Sequence, residues 1–283
     1  MSDQQLQGSV EALAPPEMAD AAVAQGVQKA SLGTGSLLIL GMLAGLYVAL
    51  GGLFALVVLA GMAEVAHGAA QVLAGVVFTL GLILVILGGA ELFTGNMLLS
   101  IAWAQREVPG DRLLRAWGVA YLANFLGSLL LAFLAFFAGV HQGGEGAVGV
   151  AALELAEEKA ALPFWTALFS GILGNLLVCL AVWLTFAARS FTDKFLAIVP
   201  PIAAFVAAGL EHSVANMFLI PFGLVIKALA PAAFWAEVDL QATAFPALTL
   251  GGFLANLVPV TLGNMIGGLL VAASYWTVYL RGR

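Results

Sequence analysis

A chain of 283 residues that is 62% hydrophobic and 9% charged, with mean hydropathy +1.05, lacks the polar surface needed to cover a soluble domain. It reads as an all-α integral membrane protein, and no soluble catalytic module, nucleic-acid partner, metal or cofactor is expected. The net charge of −6 says little about orientation, because acidic residues contribute little to membrane topology.

Residues 1–35 carry Asp3, Glu11, Glu17 and Asp20 but no basic residue before Lys29, so they lack the positive start of a signal peptide. They are expected to form a polar cytoplasmic arm in which Val10 to Ser31, broken by Pro15-Pro16, makes a short helix at the membrane surface that can pack against the bundle. A single membrane domain follows over 36–283. A bilayer core about 30 Å thick needs roughly 20 apolar residues per helix. Six segments qualify, at about 36–60, 70–103, 113–139, 163–187, 195–227 and 246–280. They are continuously apolar without a period of two, which favours helices over a barrel. With the N-terminus inside, Lys29, Arg106, Arg112, Arg115, Arg189, Lys194, Arg281 and Arg283 are cytoplasmic and only Lys159 and Lys227 external, so eight of ten basic residues obey the positive-inside pattern and both termini are expected in the cytoplasm.

The second span contains Gly89-Ala-Glu-Leu-Phe-Thr-Gly-Asn-Met-Leu-Leu99, and the fifth contains Gly209-Leu-Glu-His-Ser-Val-Ala-Asn-Met-Phe-Leu219, identical at five of eleven positions. A carboxylate and an amide repeated at one spacing inside lipid point to a duplicated buried polar site. Each half then holds three helices, and because three is odd the halves enter the membrane from opposite sides, as an inverted repeat. Gly88-Gly89 and Gly95 in the first copy, and Gly209 and Pro221 in the second, predict broken second and fifth helices, the first stopping near 88 and resuming near 97. Unwound backbone at that depth must be buried in protein or line a cavity, so a pathway through each protomer follows. Connecting loops are short except 140–162, rich in Gly and Glu and carrying Lys159; glycine pairs such as Gly51-Gly52, Gly251-Gly252 and Gly267-Gly268 suit close helix crossings.

His212 is the one histidine expected within the membrane, His67 and His141 falling in external loops. It sits between Glu211 and Ser213 at a predicted break, and an imidazole exchanges a proton near physiological pH. Glu91 and Glu211, each followed five residues on by Asn96 or Asn216, are expected to do structural work at the breaks by accepting hydrogen bonds from orphaned backbone N–H groups; cation binding and proton relay are the other roles open to them. Thr94 offers a hydroxyl in the first break, while Asn175, Asn124, Asn256 and Asn264 offer intramembrane amides that can bond across helices. Cys179 stands alone and reads as a small buried apolar residue.

Four motifs in order, Gly89–Thr94, Gly174-Asn-Leu-Leu-Val-Cys-Leu-Ala-Val-Trp183, Gly209–Phe218 and Asn256-Leu-Val-Pro-Val-Thr-Leu-Gly-Asn264, resemble the formate/nitrite transporter family over nearly the whole chain. The resemblance implies an aquaporin-like pentameric channel for a small monovalent anion in the bacterial cytoplasmic membrane, with protons as co-substrate. By the same resemblance Leu92 and Phe93 with Leu82 form a cytoplasmic constriction, and Phe78 and Phe205 with Val178 a periplasmic one. His212 and Thr94 lie between them, Asn175 helps orient the imidazole or substrate, and Lys159 draws anions into the outer vestibule. Thr94 is followed by Gly95-Asn96, where many formate-type members carry Ser-Thr, a departure shared with nitrite and hydrosulfide types; the rest of the chain inclines to formate. Two other classes compete. An intramembrane hydrolase using Ser213 or Ser170 with His212 lacks a nucleophile motif, and a water channel of aquaporin type lacks Asn-Pro-Ala in both copies.

Overall fold

The structure, a computed structural model, describes residues 11–62 and 65–282. The expectations placed on residues 1–10, Asp3 and Val10 among them, and on Arg283 lie outside the described residues. Every regular element described is helical: α1 Pro15–Ala30, α2 Thr34–Ala60, α3 His67–Gly88, a 3₁₀ turn Gly95–Leu98, α4 Leu99–Ala104, α5 Gly110–Phe137, α6 Ala147–Ala160, α7 Phe164–Ala187, α8 Phe191–Ala207, α9 Ser213–Leu229, α10 Ala232–Glu237 and α11 Leu250–Tyr279.

Five helices, α2, α3, α5, α7 and α11, are long and apolar enough to cross a membrane, and each buries 44–50% of its most apolar stretch, leaving the remainder for lipid. The fifth expected span, 195–227, for which a break was predicted, is two helices, α8 and α9, of 17 residues each. At 1.5 Å per residue such a helix extends only about 25 Å, short of the hydrocarbon thickness. The expected second span is likewise divided into α3, the 3₁₀ turn and α4.

Pro15-Pro16 opens α1 rather than breaking it, because a proline in the first turn forfeits only an N–H that has no helical partner anyway. The helix buries Met18, Ala19, Ala22, Gly26 and Ala30 and packs against α4. The region expected as a long loop, 140–162, is mostly α6: the Ala-, Leu- and Glu-rich run from Ala147 outweighs the glycines before it. His141, expected in an external loop, is only 2% exposed, stacked on Phe136 (4.6 Å, 12°) and edge-on to Phe234 (5.4 Å, 63°).

α2 packs on α3 and α5, while α7 packs on α8 and α11. The two groups interlock, for α3 lies along α8, α9 packs on α5, and the 3₁₀ turn with α4 packs on α11. The crossings are close enough to demand glycine at corresponding places. A Cβ on Gly127 would lie 1.9 Å from the Met42 carbonyl oxygen, and one on Gly267 would lie 2.2 Å from that of Ile172.

Candidate functional site

Both helix breaks begin at a left-handed glycine. Gly89 (φ +74°) ends α3 and Gly209 (φ +62°) follows α8, a conformation that a Cβ would strain. The backbone so unwound is tied down by one asparagine in each half. Asn124 Oδ1 accepts from the Phe93 N–H (2.8 Å) while its Nδ2 donates to the carbonyls of Gly41 (2.7 Å) and Glu91 (2.9 Å). Asn264 Oδ1 accepts from the Ser213 N–H (2.8 Å) and its Nδ2 donates to Gly171 (2.8 Å) and Glu211 (3.0 Å).

The buried carboxylates therefore do not take the orphaned backbone N–H groups, as the sequence led one to expect. An amide carries donor and acceptor together and can satisfy both backbone groups of one unwound turn, whereas a carboxylate only accepts. Glu91 instead receives the ammonium of Lys29 (3.2 Å) and the amide of Asn96 (2.9 Å), and Lys29 also donates to Asn96 Oδ1 (3.1 Å). Glu211 receives Lys159 (2.5 Å), Asn216 (2.6 Å) and Asn256 (3.2 Å). Each negative charge thus has a cation and at least one amide, which is the condition for burying it.

His212 caps the N-terminus of α9. Its Nδ1 accepts from the Ala215 N–H (3.1 Å) and its Nε2 lies 2.8 Å from Thr94 Oγ1, on the other break. Because Nδ1 is an acceptor here, the ring proton sits on Nε2 and is donated to the threonine hydroxyl. The sequence placed Asn175 beside the imidazole. In the structure its amide donates to the carbonyls of Thr94 (3.2 Å) and Asn264 (2.6 Å), so it holds the backbone that carries the Thr94 hydroxyl.

Three cavities follow one another through this point. The largest, about 280 Å³, is bounded by Lys29, Leu82, Glu91, Leu92, Asn96 and Lys194 among others. A central space of about 10 Å³ shares Leu82 and Leu92 with it and is closed further by Val48, Val178 and Ile202. The third, about 90 Å³, shares Phe78, Phe205 and His212 with the central space and also touches Lys159 and Asn216. Leu82 and Leu92 thus separate the first two spaces, and Phe78 and Phe205, whose ring centroids are 6.0 Å apart, separate the last two. Phe205 also meets the imidazole edge-on at 5.9 Å.

Phe93 lines none of these three spaces, although it was grouped with Leu92. Its ring turns to Tyr121 of α5 (4.8 Å, 72°), in a turn closed by the Asn96 N–H donating to the Leu92 carbonyl (2.9 Å). Lys159 reaches the third cavity as half of an ion pair, not as a free cation. Sequence reasoning missed Lys29, Val48, Ile202 and Tyr121 as contributors. Lys29 alone had a signal, since Lys29-Ala30 and Lys159-Ala160 stand at corresponding distances ahead of Gly41 and Gly171.

An enclosed passage walled by aliphatic and aromatic side chains penalises a bare ion and admits a small neutral or hydrogen-bonded solute. His212 lines both the central and the third space, while Thr94, its partner, is buried behind it and lines none of the three; the Lys29–Glu91 pair borders the first cavity, and Lys159, paired with Glu211, borders the third.

Comparisons with known proteins give the family. Residues 16–277 match the model of the "Formate/nitrite transporter" family. The "Formate channel FocA" of Escherichia coli (strain K12) is 40% identical over 271 residues, covering 95% of each chain. The "Formate channel BtFdhC" of Bacillus thuringiensis is 36% identical over 94% of this chain and 95% of that protein. Among solved structures, a "Pentameric formate channel with formate bound" superposes with a TM-score of 0.81 at 36% identity, covering 88% of this chain and 98% of that one. These relatives are channels rather than enzymes, and the chain, a multi-pass membrane protein built of apolar helices, belongs to the formate/nitrite transporter family.

Proposed function

We propose that the chain conducts formate across the bacterial cytoplasmic membrane as a homopentamer, each protomer carrying its own pathway and linking transport to a proton through His212. The observation that carries this reading is the His212 imidazole, bonded to Thr94 (2.8 Å) and lining both the central and third cavities, between an aliphatic neck (Leu82, Leu92) and an aromatic one (Phe78, Phe205). An anion crossing such necks gains by sharing or taking a proton, and a neutral Nε2–H imidazole bonded to a hydroxyl is a donor pair matched to one small oxyanion. The relatives named as formate channels, and the formate-bound pentamer, support substrate and assembly.

In this reading α3 with α4 and α8 with α9 each complete one broken crossing, giving six crossings in two inverted halves with an aquaporin-like plan. Both termini and the arm 1–35 face the cytoplasm, which makes the 280 Å³ cavity the inner vestibule and the cavity at Lys159 the outer one. Glu91, Asn96, Glu211 and Asn216 hold the breaks. A hydrolase is disfavoured, since both nitrogens of His212 are engaged by Ala215 and Thr94, and Ser170 Oγ accepts from the Glu211 N–H (3.1 Å), which leaves no base for a serine.

The test is flux of formate, nitrite and hydrosulfide into proteoliposomes across a pH range, with His212→Ala as comparison. Rapid, pH-dependent formate entry that the variant loses is expected. Preference for nitrite or hydrosulfide would reassign the substrate within the family, and an unchanged pH profile in His212→Ala would remove the proton-linking role.

A further inference from the structure

Tyr121 and Thr261 occupy corresponding places in the two halves, each three residues before the asparagine that ties down a helix break, Asn124 or Asn264. Their hydroxyls meet at 3.0 Å, so α5 and α11 are joined directly by equivalent residues. The two breaks are unlike at the matching place: the first presents Phe93 to Tyr121, ring against ring (4.8 Å, 72°), where the second carries Ser213.

We infer that Tyr121, tied to Thr261, is the positioning residue that sets segment 90–94, and that through this tie the halves hold the aliphatic neck narrow enough to favour the smallest carboxylate. Phe93 is the link. Its ring rests on Tyr121, its N–H is held by Asn124 from the same helix, and its neighbours on either side are Leu92 in the neck and Thr94 on His212. A shift of the Phe93 ring moves both neighbours, because two short bonds fix the backbone between them only while the ring has its support. Leu92 answers for width and Thr94 for the hydrogen bond to the imidazole. This rests on the channel reading above, with Tyr121 acting on the pathway through Phe93 without touching the transported ion.

The experiment uses the full chain, purified as its native oligomer, with Tyr121→Phe, Thr261→Val and Thr261→Ser. The first two delete the hydroxyl contact and keep the bulk, and the third keeps the hydroxyl. Two readouts are taken: hydrogen exchange of the Phe93 amide, and the ratio of acetate to formate entry in proteoliposomes. Tyr121→Phe and Thr261→Val should each speed exchange at Phe93 by about threefold, the factor that one intramembrane hydrogen bond of ordinary strength commands, and raise the acetate-to-formate ratio by a similar factor. Thr261→Ser should restore both. Unchanged exchange and an unchanged ratio in both deletion variants would overturn the inference. If the parent moves no formate, the channel reading fails while the exchange result still decides whether Tyr121 positions the segment.

Discussion

The two buried ion pairs are built to one plan and differ where they touch the pathway. On one side Lys29 donates to both Glu91 and Asn96, closing a triangle in which the lysine side chain remains 21% exposed. On the other, Lys159 is directed to Glu211 alone and is 11% exposed, while Asn256 enters from α11, accepting from Asn216 (2.7 Å) and donating to the carboxylate and to the Lys159 carbonyl (2.9 Å). The residue after the carboxylate is Leu92 in the first copy and His212 in the second. The duplicated residues hold charge in place even where they border a cavity, as Glu91, Asn96 and Asn216 do, and the halves differ at the residue after the carboxylate, a leucine in one and a histidine in the other, both of which line the central space.

The widest gap between the halves should come from the lysines. Replacing Lys159, the more buried of the two lysines, with Met strands the Glu211 carboxylate and is expected to cost about 3–5 kcal/mol, the range for breaking a buried pair, with the more exposed Lys29→Met costing clearly less; thermal unfolding of the purified oligomers checks the order, and equal losses would undo the distinction. Next come the asparagines, whose three bonds each are alike. Asn124→Ala and Asn264→Ala should destabilise by roughly 2 kcal/mol apiece at the usual worth of intramembrane hydrogen bonds, and a large inequality in denaturant or thermal titrations would mean that the breaks are not equivalently held. Thr94→Val removes only the hydroxyl contact with His212. Stability should fall by about 1 kcal/mol or less, whereas the pH dependence of formate flux should change, and a variant with the parental flux profile would deny the pair its role.

The smallest effect is expected at His141, outside the long helices. Burial against Phe136 and Phe234 holds its pKa below the ordinary 6.5. The folded state then binds its proton less readily than the unfolded one, so its contribution is full above about 6.5 and is lost as pH falls through the lower folded value. His141→Phe should flatten that part of the stability curve between neutral and mildly acid pH. Melting temperatures that keep the parental slope would assign it elsewhere.

The elements most legible in the sequence were those whose signal is local. Gly89 and Gly209, Glu91 and Glu211, and Asn96 and Asn216 are all related by one shift of 120 residues, so the breaks and their polar residues could be placed before any coordinates. The partners could not, because Lys29 and Lys159 are related by a shift of 130, and Asn124 and Asn264 by 140. The intervening segments differ in length, and no single alignment superposes a whole network. α6 was hidden for another reason: Gly143, Gly144 and Gly146 read as loop, yet they only start a helix that tertiary packing against α9 then stabilises. The direction of Phe93 was not legible at all, since it lies in an irregular turn with neither a helical nor a strand period to say which side is the passage.

The His212–Thr94 contact has a consequence for how such a chain can have come about. It joins residues that are not counterparts: the counterpart of His212 is Leu92, and that of Thr94 is Val214. Two identical halves assembled as an antiparallel pair would place either two imidazoles or none at the narrow point, with no way to give one side a ring and the other a greasy wall. Only once the two halves have separate coding sequence can mutation act on one without the other. The single imidazole is thus a product of divergence between the halves, and a half-length version of this protein, paired with itself, would carry two such imidazoles or none.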